Sequence, residues 1–261
     1  MSGAQTLLFV TTLARFLEGK RHPLIGTNAP APASAALLAK EMAGGNMRVT
    51  ILGSRLHSFL SDDLAEVFDA ATRGNFDAFF VGGGQIDGQA NINLVGIGKH
   101  PRLDVRWPGS HGTPLLYLMI PNAILYREEH TSRAFVERVD FISAPGVSEP
   151  GVHRPGGPIA LVTSRCVFDF LRDKGAFRLR SLHPGATLKE VSDNTGFSYE
   201  TPEKVGTTPE PTTEMLMLLK DRVAPQIEHL YPQYAAMLVR ETGNALKTSN
   251  FEPEPQRTGT R

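Results

Sequence analysis

One junction constrains this chain more than any other. A buried-strand pattern, Asp77-Ala78-Phe79-Phe80-Val81, runs directly into three glycines, Gly82, Gly83 and Gly84. Successive glycines cost backbone entropy, so they persist where the backbone needs a positive φ or must approach another group closely. Gln85, Asp87, Asn91 and Asn93 follow at alternating positions. On an extended strand that alternation gives one polar face. A second glycine turn, Pro108-Gly109-Ser110-His111-Gly112, precedes the apolar run Leu115-Leu116-Tyr117-Leu118-Met119-Ile120. Two strand-to-glycine-loop units predict two backbone-lined edges of one pocket. Free N–H groups in such loops hold an oxyanion or a phosphate.

The elements leading to this junction alternate. Apolar spacing predicts a helix over 4–18, a strand over 24–26, a helix over 33–43 and a strand over 48–53. A further helix, capped by Ser61 or Asp62, runs to Arg73, and the strand at 77–81 follows. This order predicts an α/β fold with a mainly parallel open sheet flanked by helices. Ligands of such sheets bind beyond the carboxyl ends of the strands, so the loops after Ile25, Leu52 and Val81 share one edge. The second half reads strand-rich, with strands at 115–120, 123–128, 136–142, 158–163, 166–170 and 176–181. The spacing of Thr187 and Glu190 predicts a capping box for a helix over 187–193. Helices over 213–222 and 224–243 follow, the second one or two pieces around Tyr231-Pro232. One domain spans 1–247, and the Pro- and Gly-containing tail 248–261 reads as disordered.

Bulk properties exclude several functions. A formal net charge of zero gives no global field to recruit nucleic acid. No apolar run approaches the ~20 residues that cross a bilayer. The single cysteine, Cys166, sits in an apolar strand as an inert core thiol; it offers no disulfide framework and fits a cytoplasmic location. The eight histidines are scattered without metal-ligand spacing, and Glu128-Glu129-His130 reads as a charged surface turn. No phosphate-binding G-x-x-x-x-G-K-[ST] occurs, and the segment after Gly82 is too strand-like for a dinucleotide loop, which disfavours an oxidoreductase. Trp107 packs beside the pocket or at a subunit contact.

GGGQIDGQANIN, Pro-Gly-Ser-His-Gly, and the segment Ser181-Leu182-His183-Pro184-Gly185 through Asn194-Thr195-Gly196-Phe197 together resemble motifs of the β subunits of class I CoA-transferases. The order and spacing fit from roughly residue 5 to 222. Ala90 departs from the family's usual glycine before Asn91. The resemblance implies an α-subunit partner in a heterodimer or heterotetramer, a CoA thioester as substrate and no permanently bound cofactor. It implies substrate loops at Gly83, Gly84, Gln85, Gly109, Ser110, His111 and Gly112, supported by Asp87, Asn91 and Asn93; His57, near the end of the predicted 48–53 strand, is a further supporting candidate by position. By residue chemistry, Asp87 and Asn91 hold the turn through bonds to backbone.

One family feature is missing. The β-subunit nucleophile of the family is a glutamate just after the strand that matches Val49–Leu52. Here that place reads Gly53-Ser54-Arg55, with no Glu or Asp between Glu41 and Asp62. A serine without a neighbouring base is a poor nucleophile. The family has branches with this loss, a two-subunit hydrolase of steroid-derived CoA thioesters and a decarboxylase of a glutaconyl-type CoA. SLHPG and Val167-Phe168-Asp169-Phe170 resemble the small subunit of the hydrolase, whose acting carboxylate belongs to the α subunit. The expectation is C–C bond hydrolysis of a cyclic CoA thioester. The alternatives are CoA transfer between carboxylic acids and a noncatalytic acyl-CoA-binding subunit.

Overall fold

The computed structural model describes residues 1–60, 64–99 and 101–248. Its centre is an eight-stranded sheet. Five strands run parallel in the spatial order β2 (Thr50–Ile51), β1 (Pro23–Ile25), β3 (Ala78–Val81), β8 (Asn122–Arg127) and β9 (Pro158–Thr163). Here β1, β2 and β3 are buried along their whole length, the run expected of strands covered on both faces. The sheet continues into the antiparallel β10 (Cys166–Leu171) and β11 (Ala176–Leu182), then β12 (Gly206–Thr207). In β11 buried residues alternate with exposed Arg178 and Arg180, both paired with Asp169 of β10, so this end of the sheet turns one face to water.

Each face carries its own core. Helices α1 (Gly3–Arg15) and α2 (Pro30–Met42) cover one face with the C-terminal helices. The other face holds α3 (Leu64–Thr72), α4 (Thr113–Met119) and an aromatic cluster of Phe135, Phe168, Phe177 and Phe197. Phe197, from the Asn194-Thr195-Gly196-Phe197 segment, stacks on Phe177 at 5.3 Å. Each aromatic pair adds about 0.5–1.5 kcal/mol beyond burial. Helix α5 (Leu188–Asp193) begins with the expected capping box, in which Thr187 Oγ1 accepts from Glu190 N and Glu190 caps Thr187 N.

Three sequence expectations need correction. Residues 115–119 belong to helix α4, not a strand, and Ile120 is its extended C-cap; Pro114 in the first turn favours a helix start, and the short apolar run could not decide between the two. Residues 136–142 form no strand. They pass as irregular backbone over the hairpin of β4 (Gln85–Ile86) and β5 (Ile92–Asn93), flanked by isolated bridges at Ile86–Phe135 and Ile92–Ala144. The C-terminal helix boundary also moves. Helix α6 (Thr213–Leu218) continues through a π-turn at Leu219–Val223 into α7 (Ala224–Ile227), and α8 spans Pro232–Thr248. Pro225 cannot donate to the helical ladder, and the widened turn before it accommodates that loss. The cap at Ser61 or Asp62, and the tail from 249 on, lie outside the described residues.

Between the two glycine loops a separate hairpin rises, β6 (Gly96–Lys99) with β7 (Arg102–Arg106). It leads through Trp107 to the second glycine loop, which therefore joins β7 to α4. Strand β3 feeds the first glycine loop. Both loops consequently stand above the carboxyl ends of the parallel strands.

Candidate active site

Two adjoining clefts open at that edge. The larger, about 760 Å³, is lined by Gly82, Gly83, Gly84, Leu94, Trp107, Pro108, Gly109 and the turn Tyr126–Glu129. The smaller, about 400 Å³, is lined by Thr27, Leu52, Phe68, Ser110, His111 and Gly112 among others. Gly82, Leu94, Gly109 and Tyr126 belong to both. The loops after β1, β2 and β3 share this edge, as parallel-sheet geometry requires.

The sequence-derived candidates divide into two groups. Gly83, Gly84 and Gly109 line the larger cleft, and Ser110, His111 and Gly112 the smaller. Gly109 at φ +106° and the exposed His111 at φ +43° hold the second loop in a left-handed turn. Gln85, Asp87, Asn91 and Asn93 line neither cleft. All four are buried behind the first loop and bonded to one another and to the 139–146 segment. Gln85 Oε1 accepts from Asn93 Nδ2 at 2.7 Å and from Asp140 N at 3.0 Å, and its Nε2 donates to Asp140 Oδ2. Asp87 Oδ1 accepts from the Gln89 and Asn91 amides, closing the turn at Ala90. Asp87 and Asn91 face a different depression of about 640 Å³, bounded by Glu137, Arg138 and Phe197. The polar face that alternation predicts therefore exists, but it is a buried seam. Gln85→Ala should act on stability, lowering it by about 1–3 kcal/mol because buried partners lose their bonds. Thermal melting and turnover measured on the same preparation check this; a large loss of turnover at an unchanged melting point would place the amide in the reaction.

Ala90 adopts φ +59°, which explains the glycine expected there. The left-handed conformation costs a side-chain-bearing residue about 1–2 kcal/mol. Tyr117, fully buried, donates its hydroxyl to Ala90 O at 2.9 Å and helps fix the turn.

Ser54 is 2% exposed. It follows Gly53, whose φ of +81° turns the chain out of β2. Its Oγ accepts from the His57 amide at 3.1 Å and the Leu56 amide at 3.3 Å, which closes a turn. The same Oγ lies 3.2 Å from His229 Nε2. Sequence reasoning missed this base, since His229 arrives after α7, 175 residues away. His57 is buried, its Nε2 without a partner among the described residues; burial, then Lys40 and His229, lowers its pKa.

The turn after β8 is the part of the site that sequence reasoning placed wrongly. His130 is buried rather than on a surface turn, with its ring nitrogens bonded to Thr163 Oγ1 at 2.8 Å and Thr195 Oγ1 at 2.9 Å. Burial, the largest cause, pushes its pKa down to about 4. It adjoins Cys166, whose thiol burial pushes up to about 12. Arg127 donates from Nη1 to Gly83 O at 2.6 Å and from Nη2 to Glu129 Oε1 at 2.7 Å. The Gly84 amide donates to Asn93 O at 2.9 Å. The Gly83–Gly84 peptide is thus held at both its oxygen and its hydrogen, and its N–H is not a free oxyanion donor. The hydropathy of Tyr126-Arg127 gave no hint of this role; the signal available was position, at the carboxyl end of a predicted central strand.

This arrangement, an open parallel-sheet edge carrying two glycine loops, defines the class. Residues 21–194 match the Coenzyme A transferase family, and the chain belongs to it. It is 35% identical over 161 residues to the B-type chain of 3-oxoadipate CoA-transferase from Pseudomonas knackmussii, covering 58% of this chain and 61% of that protein. It is 32% identical over 165 residues to IpdB, a component of the cholesterol ring-cleaving hydrolase of Rhodococcus jostii, covering 62% and 64%. Each match therefore spans less than two thirds of the relative's length. The crystal structure of Rhodococcus jostii IpdAB superposes with a TM-score of 0.74 at 26% identity, covering 86% of this chain and 95% of that one. The mainly parallel sheet flanked by helices is the fold these structures share. Among the described residues no helix is long and apolar enough to cross a membrane.

Proposed function

We propose that this chain is the β-type subunit of a heteromeric enzyme acting on an acyl-CoA thioester, and that the reaction is hydrolysis of a C–C bond in a cyclic, steroid-derived thioester. The observation that carries this reading is the cleft itself. Both glycine loops line it, yet the family's carboxylate position holds Ser54, which is buried and engaged in closing its own turn. Of this chain's carboxylates at the larger cleft, Glu129 is held by Arg127 and Glu128 is exposed on the turn beyond β8, so we assign the carboxylate that activates water to an α subunit. Leu56 and Phe59, 60% and 69% exposed on the loop beside Ser54, supply apolar surface for that partner to cover. Coenzyme A enters as part of the substrate, with no cofactor held permanently. A cytoplasmic setting fits the single buried thiol of Cys166.

CoA transfer is the second reading, favoured by the 35% identity to the 3-oxoadipate CoA-transferase chain. Co-expression with a candidate α subunit, followed by assay on a panel of CoA thioesters with and without an acceptor acid, separates the two. Hydrolysis without acceptor supports the proposal; turnover that needs a carboxylic acid acceptor selects transfer. Alone, the chain should be inactive. Light scattering and assay that find a lone chain monodisperse and fully active would overturn the two-subunit reading.

A further inference from the structure

The larger cleft must supply one component that thioester chemistry requires. Negative charge develops on the carbonyl oxygen, and a donor must meet it. The Gly84 amide, the obvious donor, is spent on Asn93 O. We propose that Tyr126 is a catalytic residue whose hydroxyl donates to the thioester oxyanion or enolate oxygen in this cleft; this rests on the CoA-thioester reading above.

The placement of Tyr126 supports the role. It stands near the carboxyl end of β8, beside β3, and belongs to the wall of both clefts. Its ring meets Phe80 edge-on at 6.4 Å, which restricts its motion. On the other side it lies against Gly82, where a Cβ would stand 3.6 Å from Tyr126 Cζ. The neighbouring tyrosines have structural bonds: Tyr117 donates to Ala90 O, and Tyr231 accepts from the Ala29 amide. Tyr126 has no hydrogen-bond partner among the described residues, so its O–H remains available to a ligand. Tyr234 also has an unpartnered hydroxyl, but it is buried and lines neither cleft.

The charge state suits a donor. Burial, then Glu128 and Tyr231, pushes the Tyr126 hydroxyl up to about 12, against a lowering by Arg127. At neutral pH the phenol keeps its proton and gives a hydrogen bond without transferring it. No other bond need form or break at this residue.

The test uses the full chain with its co-purifying partner and acetoacetyl-CoA as the binding probe. Tyr126→Phe removes only the hydroxyl, so the melting temperature should hold. Turnover should fall about 10²-fold while KM stays within about twofold, the pattern of an interaction made only in the transition state. The fraction of bound acetoacetyl-CoA present as its near-ultraviolet-absorbing enolate should fall with it. If wild-type protein binds the probe and Tyr126→Phe keeps both turnover and enolate fraction, the role of Tyr126 is refuted while the functional reading stands. If wild-type protein binds neither acetoacetyl-CoA nor any CoA thioester of the assay panel, the functional reading fails and this inference fails with it.

Discussion

Incubation with an acyl-CoA thioester is expected to leave no trappable thioester on a carboxylate of this chain. Hydroxylamine or borohydride treatment followed by mass spectrometry reads the result. The reacting atoms of a covalent step must approach to about 3–3.5 Å, and Ser54, which follows β2 where the resemblance implies the nucleophile, does not present itself that way. Ser54 is 2% exposed, and its oxygen already accepts from two backbone amides. His229 at 3.2 Å gives the serine a base, which the sequence did not disclose. Base and hydroxyl alone do not suffice, since substrate cannot reach an oxygen that is closing its own turn. Carboxylates of this chain do line the larger cleft, at Glu128 and Glu129. Glu129 is held by Arg127, and Glu128 is exposed on the turn beyond β8. Neither follows β2. Ser54→Ala should therefore retain most activity and lose about 1 kcal/mol of stability, the usual cost of removing a capping side chain. If the proposed two-subunit reading holds, neutralising the pocket carboxylate of the α subunit should instead abolish turnover. An adduct trapped on this chain, or complete loss of turnover in Ser54→Ala, would return the nucleophile to this chain.

The half of the fold that builds the site was legible because its physics is local. Buried parallel strands read as continuous apolar runs, and β3 ending in Gly82 is recognisable from that alone. Helix α4 was not, because the six apolar residues from Leu115 to Ile120 satisfy strand and helix patterns alike until Pro114 before them is weighed. The Gln85–Asn93 segment shows a different limit. Alternation correctly places its polar groups together, but sequence cannot say whether that face meets solvent, substrate or another stretch of chain. Here Asp140 and Gly146, distant in sequence, cover it. His130, Arg127 and His229 were missed for the same reason, since each acquires its role from a partner on another element.

Substitution of Gly84 by valine should abolish turnover with only a moderate loss of stability. A Cβ at Gly84 would stand 2.2–2.6 Å from three atoms of the Trp107 indole, far inside contact distance. Trp107 is itself a wall of the larger cleft, so relief of the clash reshapes the cleft directly. Retreat of the loop is blocked from both sides, because Arg127 holds Gly83 O and Asn93 O holds the Gly84 amide. A displacement of about 1 Å among positioned groups can cost on the order of 10²-fold in rate. Gly83→Val differs. Its Cβ would meet Ile92 Cγ2 at 2.7 Å and Gln85 O at 3.1 Å, which jams the buried β4–β5 hairpin and spends the damage on folding. Trp107 is the only tryptophan in the chain, so its fluorescence distinguishes the two variants. Gly84→Val should shift the emission while the protein remains folded. Gly83→Val should lower the melting temperature more and leave the emission of the folded fraction nearer to wild type. Wild-type turnover in a folded Gly84→Val protein with shifted emission would show that this wall of the cleft takes no part in the reaction.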